Sequence, residues 1–344
     1  MKFHLISLSP SCFGNNKNLE LTIRILNYLF RQTILINYQN LYGKIVNESR
    51  TYLDHNRLKD FELILLMYDK EKRIVEVSEI GDHNFTSLCK LNRFLFERGI
   101  TILYSKEDLH SSLTTSCKDF CFMVNESDQD DIKTYTEKYP VPPSQEIRLE
   151  KSHDSDWMAT NIYIPLLTCS SKVEIIDPFI GRELHDISDV HIDKWLTESQ
   201  WIFSLTEIFK IFKVQSIYRE KHYSIHTAVR IDEEDKAVEA AKRFRKFFLN
   251  APDVEVKFIL YVYEKLFNPP EEFPHDRYIF SNNVGVNIGI GIDTINPEDE
   301  QVRRETQLTA IGISTVTSVM SQLKSLPDST THTKKRRILR KRTI

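Results

Sequence analysis

From Asn125 to Gln145 the alternation of apolar and polar residues gives out. Glu126, Asp128, Asp130 and Asp131 come first, and Tyr139-Pro140-Val141-Pro142-Pro143-Ser144 follows. Clustered carboxylates resist burial, and prolines have no amide hydrogen to give to a helix or a sheet, so the stretch reads as a linker. It constrains the fold more than any other feature, because it leaves two segments of the 344 residues that are each long enough to bury a core. The expected organisation is a module over residues 1–140, a proline-rich linker over 141–150, a second module over 151–327 and a basic, disordered tail over 328–344.

Ahead of the break, Phe3, Leu5 and Leu8 mark an opening strand, and Leu21, Ile25, Leu26 and Leu29 repeat at helical spacing. Ile34 to Tyr42 fits neither period. The apolar run Phe61 to Tyr68 predicts a buried strand, and with the alternating Arg73 to Val77 it predicts a hairpin around Asp69-Lys70-Glu71-Lys72. Phe85 to Arg98 predicts a helix that stops at Gly99, and Ile100 to Tyr104 a strand. This half is therefore an α/β module. It carries no glycine-rich phosphate loop, no nucleophile elbow and no spaced carboxylates, and Asp54-His55 and Asp82-His83 read as solvated turns.

After the break, Trp157 to Ile164 predicts a short helix that Pro165 should end. Val173 to Ile180 is apolar except for Glu174 and Asp177, which predicts a strand buried on both faces, and Pro178 places Asp177 near its C-terminal end. Trp201, Leu205, Ile208, Phe209 and Phe212 mark the core face of a helix. Ser216 to Val229 reads as a strand with His222 and His226 on one face, too few ligands for a metal. Asp232 to Leu249 predicts a helix with acids first and Lys242, Arg243, Arg245 and Lys246 later, which suits the macrodipole and also offers contacts to phosphates. Val254 to Tyr263 predicts a strand, and Leu308 to Val319 a last strand and short helix.

The chemistry concentrates in Phe273-Pro274-His275-Asp276-Arg277-Tyr278-Ile279-Phe280-Ser281-Asn282-Asn283 and the segment after it. That segment, 284–293, holds three of the nine glycines. In a strand His275 and Arg277 share one face and Asp276 takes the other. An imidazole beside a permanent guanidinium charge suits an anion such as a phosphate.

The sequence of motifs Val173-Glu174-Ile175-Ile176-Asp177-Pro178-Phe179-Ile180, His275-Asp276-Arg277-Tyr278-Ile279 and Gly289-Ile290-Gly291-Ile292-Asp293 resembles the phospholipase D-like fold. The branch most similar is the one at the C-terminus of MIT-domain proteins and its bacterial relatives. The resemblance covers roughly residues 155–325, about half of the chain. It implies a central mixed sheet flanked by helices and a site drawn from His275, Asp276, Arg277, Asn282, Asp177 and Asp293. It also implies a prokaryotic defence-type setting. Hydrolytic members carry His-x-Lys, four residues, then Asp. Here Arg277 stands at the lysine position and Asn282 at the aspartate position, so the motif is degenerate.

Two functions follow. In the first, the domain recognises a phosphodiester, a nucleic acid or a partner protein without cutting it. In the second, it is a metal-independent phosphodiesterase or nuclease in which a homodimer brings together two copies of His275, one as nucleophile and one as general acid. Neither needs a metal or a cofactor. Net charge is −3, but seven of the 46 basic residues crowd into the last eleven positions, Lys334, Lys335, Arg336 and Arg337 among them. The body is thus acidic, and affinity for a polyanion must come from the tail or a local patch. Five scattered cysteines (Cys12, Cys89, Cys117, Cys121, Cys169) read as reduced core thiols, and the first residues and the apolar runs lead one to expect neither a leader nor a transmembrane span. The expected location is the cytoplasm.

Overall fold

The structure, a computed structural model, describes residues 4–8, 10–13, 15–30, 33–38, 40–70, 73–77, 101–105, 121–124, 146–168, 170–216, 218–248, 253–264, 273–282, 284–289, 291–326 and 338–344. The helix expected over 85–98 and Lys334 to Arg337 lie outside them. The chain is mixed α/β and divides into two compact units, one over Lys2–Pro143 and one over Ser144–Ser216 and Glu220–Ile344.

In the first unit β1 (His4–Leu8), β2 (Thr33–Tyr38), β3 (Ile74–Val77), β4 (Thr101–Ser105) and β5 (Cys121–Val124) form a five-stranded sheet in the order β3-β2-β1-β4-β5. Every pair is parallel, so each connection must be a crossover and not a hairpin. Helices α1 (Asn16–Leu29), α2 (Leu41–Ser49) and α3 (His55–Lys70) lie in those crossovers. Asn15 caps α1 by accepting from the Asn18 amide at 2.8 Å.

Helix α3 overturns the strand expected at Phe61 to Tyr68, and with it the hairpin, since β3 pairs parallel with β2. Its buried residues Leu58, Phe61, Ile64 and Tyr68 follow helical spacing, whereas Leu63, Leu66 and Met67 face outward. An eight-residue apolar run satisfies either period, and the signal that decides it lies upstream. Asp54, expected in a solvated turn, opens the helix by accepting from the amides of Asn56 (2.9 Å) and Arg57 (3.2 Å). Phe61 then meets Phe13 edge-on at 4.8 Å, and the Tyr68 hydroxyl donates to the Leu26 carbonyl at 2.8 Å.

In the second unit eight strands form one mixed sheet in the order β13-β9-β8-β7-β10-β11-β12-β6. They are β6 (Glu146–Leu149), β7 (Lys172–Ile176), β8 (Lys221–Arg230), β9 (Val254–Tyr263), β10 (Tyr278–Phe280), β11 (Gly285–Ile288), β12 (Thr306–Ile311) and β13 (Ile338–Thr343). β7, β8 and β9 are parallel, and the other pairs are antiparallel. Two expectations fall here. Residues 146–149 belong to an edge strand and not to a linker, because β6 pairs with β12. Residues 338–343 are not a disordered tail, because they complete the sheet along β9.

Helical turns at Ser155–Met158 (α4) and Ile164–Leu167 (α5) flank a π-helical turn at Ala159–Tyr163. Pro165 therefore does not end the helix. It sits in the first turn after the π segment, where its missing amide hydrogen costs little. After β7 come α6 (Ile180–Asp186), α7 (Trp195–Glu198), α8 (Gln200–Gln215) and α9 (Glu234–Phe248), and α10 (Ile313–Ser325) follows β12.

Tyr223 and Phe258 carry one face of the sheet. The Tyr223 hydroxyl donates to Leu205 of α8 at 2.8 Å, and Phe258 packs edge-on to Phe244 of α9 at 5.5 Å. The opposite face, with Ile176, Ala228, Tyr261 and Tyr278, forms one core with Val316, Val319 and Leu323 of α10. Among the described residues no helix is long and apolar enough to cross a membrane.

Candidate binding site

β7 ends at Ile176, and the chain turns at Asp177-Pro178 into α6. Because Tyr278 pairs with Ile176, the next residues outward, Arg277 and Asp177, face each other across the ends of β10 and β7. Asp177 is fully buried. One carboxylate oxygen accepts from the Phe179 amide at 2.9 Å, and the other accepts at 3.4 Å from both the Ile292 amide and the Trp201 indole. Burial pushes its pKa up to about 6 against the pull of the Phe179 amide and the Arg277 charge, and Asp293 adds to the rise.

Arg277 lies over the Phe179 ring with its guanidinium carbon 4.9 Å from the centroid, and its Nη1 donates to the Gly289 carbonyl at 2.9 Å. Its Nε is buried without a hydrogen-bond partner. Gly291 closes the turn beyond, at φ +125°, and a Cβ there would lie 2.5 Å from Oδ1 of Asp293 and 3.4 Å from Oδ2 of Asp177. The two carboxyls thus flank one glycine. Asp293 is likewise shifted upward, by burial first, with Arg304, Arg303 and Arg277 opposing. Arg303 approaches it to 3.7 Å.

Asp177 comes together as one group with Arg277 and Asp293, which lie at least 100 positions further along the chain. The other expected site residues do not join it. His275 is exposed in the bend before β10, so it and Arg277 are not on one face of a strand. A proline and the bend precede the ladder, which starts only at Tyr278. Asp276 instead accepts from the Tyr278 hydroxyl (3.0 Å) and the Asn287 amide (3.2 Å). Asn282 lies past the other end of β10, where its side-chain amide donates to Ser171 at 3.0 Å and its oxygen accepts from Ser170 at 3.1 Å.

On α9, Lys242, Arg245 and Lys246 are exposed. Arg243 is no part of a free basic face: it donates to the carbonyls of Ser188 (2.7 Å) and Val190 (3.3 Å) and lies 4.9 Å over Trp195.

His222 and His226 part company too. His222 pairs with Glu255 on the surface at 2.8 Å. His226 is buried between Glu174 (2.6 Å) and the Tyr261 hydroxyl (3.2 Å). Among the described residues no group of side chains could hold a metal ion. The Glu174–His226–Tyr261 chain escaped the sequence reading, although a lone glutamate in an apolar strand was its visible sign. Trp201, read only as core, touches Asp177.

No protein-family model and no curated protein matches the chain.

Proposed function

We propose that the second unit is a phospholipase D-like module that binds phosphodiesters, with nucleic acid as the ligand, through a degenerate hydrolytic motif. One observation carries this reading. The position that holds a carboxylate in hydrolytic motifs is Asn282 here, and its amide is engaged by Ser170 and Ser171 beyond the far end of β10 from His275. His275 has neither an acid nor a second histidine to orient it among the described residues, so an activated nucleophile lacks support. Arg277 keeps its positive charge at any working pH, and the carbonyl of Gly289 and the ring of Phe179 hold it in place, which supports a fixed anion contact.

The test uses labelled single- and double-stranded DNA and RNA with the full chain, with and without divalent metal. Binding without cleavage is expected. Arg277→Ala should weaken it by roughly 10- to 100-fold, the worth of a charge-assisted hydrogen bond, while circular dichroism stays native. Metal-independent cleavage that is lost in His275→Ala would replace this reading with the homodimeric phosphodiesterase. Binding that ignores both substitutions would remove the site.

A further inference from the structure

Among the described residues, a ladder and the side chains of Lys341 and Arg342 tie strand β13 to its unit. The ladder pairs Arg340 with Val262, Lys341 with Tyr261, Arg342 with Leu260 and Thr343 with Ile259. It ends in a reciprocal pair, with Ile344 donating to Phe258 at 2.9 Å and Phe258 donating to Ile344 at 3.2 Å. The two side chains leave on opposite faces. Arg342 Nη1 meets Oε1 of Glu234 at 3.1 Å, and the Glu234 side chain is only 3% exposed. Lys341 Nζ lies 5.9 Å from the centroid of Tyr261 on the α10 face.

A backbone ladder accepts any extended chain, so selectivity must come from side-chain pockets on the two faces. Here a buried carboxylate reads one residue of the strand and an aromatic ring reads the residue before it, and both favour a cation. The edge of β9 is therefore built to take a basic strand.

That strand follows α10, whose Leu323 shares a core with Ile259, Tyr261 and Tyr263 of β9. Between Ser325 and Ile338 lie twelve residues, a reach of roughly 40 Å at full extension.

We propose that the edge of β9 is a strand-addition site for an extended basic segment, and that residues 338–344 of a second copy of this chain exchange with its own. The contacts are identical within one molecule and between two, so concentration sets the balance. A tethered segment competes at an effective concentration in the millimolar range, and exchange gains over the closed form where a strand fits a second copy better than its own. This inference is independent of the phosphodiester reading.

A charge-reversed pair tests it. In Arg342→Glu the strand meets Glu234 with like charge, and in Glu234→Arg the site meets Arg342 with like charge. Only exchange between the two variants matches both contacts. Mixed in equal amounts, they should form a one-to-one dimer by light scattering, with a thermal midpoint above that of either alone. A mixture that remains two monomers with unchanged midpoints overturns the proposal. The wild-type chain supplies a second readout that needs no folded variant. A labelled peptide of residues 338–344 should be taken up at about 1 mM and displaced by unlabelled peptide, but not by peptide carrying Arg342→Ala. Absence of uptake, or equal displacement by both peptides, also overturns it.

Discussion

Arg277 faces Asp177 at the point where β7 ends and β10 begins, so the motif's arginine and the buried aspartate just after β7 form one electrostatic unit. The guanidinium is permanently charged, but the carboxyl is not. With its pKa pushed up to about 6, Asp177 leaves the arginine more or less compensated as pH changes.

Anion binding should follow that proton. Below pH 6 Asp177 is mostly neutral and Arg277 attracts an anion more strongly, so affinity for a phosphodiester should rise as pH falls through the Asp177 value of about 6. His275 lies two positions from Arg277 and is exposed, so the measurement belongs in a His275→Ala background. There, titration by fluorescence anisotropy from pH 7.5 to 5 should show tightening, and Asp177→Asn should flatten the profile. A profile equally steep with and without Asp177 would break the coupling.

Stability should move the same way. The folded value of about 6 lies above the ordinary 3.8, so the native state holds this proton longer than the unfolded chain. Ionisation therefore costs stability as pH rises from about 4 to 6, roughly 3 kcal/mol by linkage. Urea unfolding across that window should show the decline in the wild type and lose this component in Asp177→Asn.

Glu174 predicts the opposite sign. Burial pushes its pKa up, but the hydrogen bond and charge of His226, followed by those of Lys172, outweigh it and leave the value lowered. Its contribution is present above the ordinary value of 4.5 and is lost as pH falls through the lower folded value. Glu174→Leu leaves the buried His226 with the Tyr261 hydroxyl but without its carboxylate partner, and should cost roughly 3–5 kcal/mol at neutral pH, measured by chemical unfolding. The double variant Glu174→Leu with His226→Leu should recover part of that loss.

Gly181 lets α6 press against β8. Its amide donates to the Thr227 hydroxyl at 2.7 Å, and a Cβ would fall 2.2 Å from the Ala228 carbonyl oxygen. Backbone cannot yield there as a side-chain tip would, so Gly181→Ala should destabilise by about 1–3 kcal/mol. A wild-type unfolding midpoint for this variant would show that the helix can shift.

The two kinds of arginine and lysine on α9 should separate cleanly. Lys242→Ala, Arg245→Ala and Lys246→Ala together should lower affinity for a polyanion and reduce the slope of its salt dependence by up to about 2–3, with stability unchanged. Arg243→Ala should do the reverse, because it removes the bonds to Ser188 and Val190 and the stack on Trp195. Salt titrations and thermal melts distinguish the outcomes.

Much of the second unit could be read from its residues. β8, β9, α8 and α9 stand where periodicity put them, because long segments with one buried face leave little ambiguity. Asp177 was legible through the proline after it. What could not be read was whatever depends on partners distant in sequence. The apolar run from Phe61 to Tyr68 is compatible with two periods, and only the cap at Asp54 and the packing against Phe13 decide between them. Arg243 looked like its neighbours until Trp195 folded under it. Arg342 looked solvated until β9 and Glu234 came beside it. Charge in a sequence does not reveal whether a buried counter-charge awaits.

The outermost position of β13 also puts the assembly of the sheet on a clock. β9 ends at Tyr263, and β13, which covers its edge, begins at Ile338, seventy-five positions later. At a synthesis rate of about 5–20 residues per second, that gap corresponds to roughly 4–15 s. During that interval the nascent chain carries an apolar edge, Phe258 to Tyr263, with no strand to cover it, and unpaired edges of this kind recruit other chains. Yield during expression should therefore respond to translation speed and to chaperones that bind extended segments, even where the finished protein is stable.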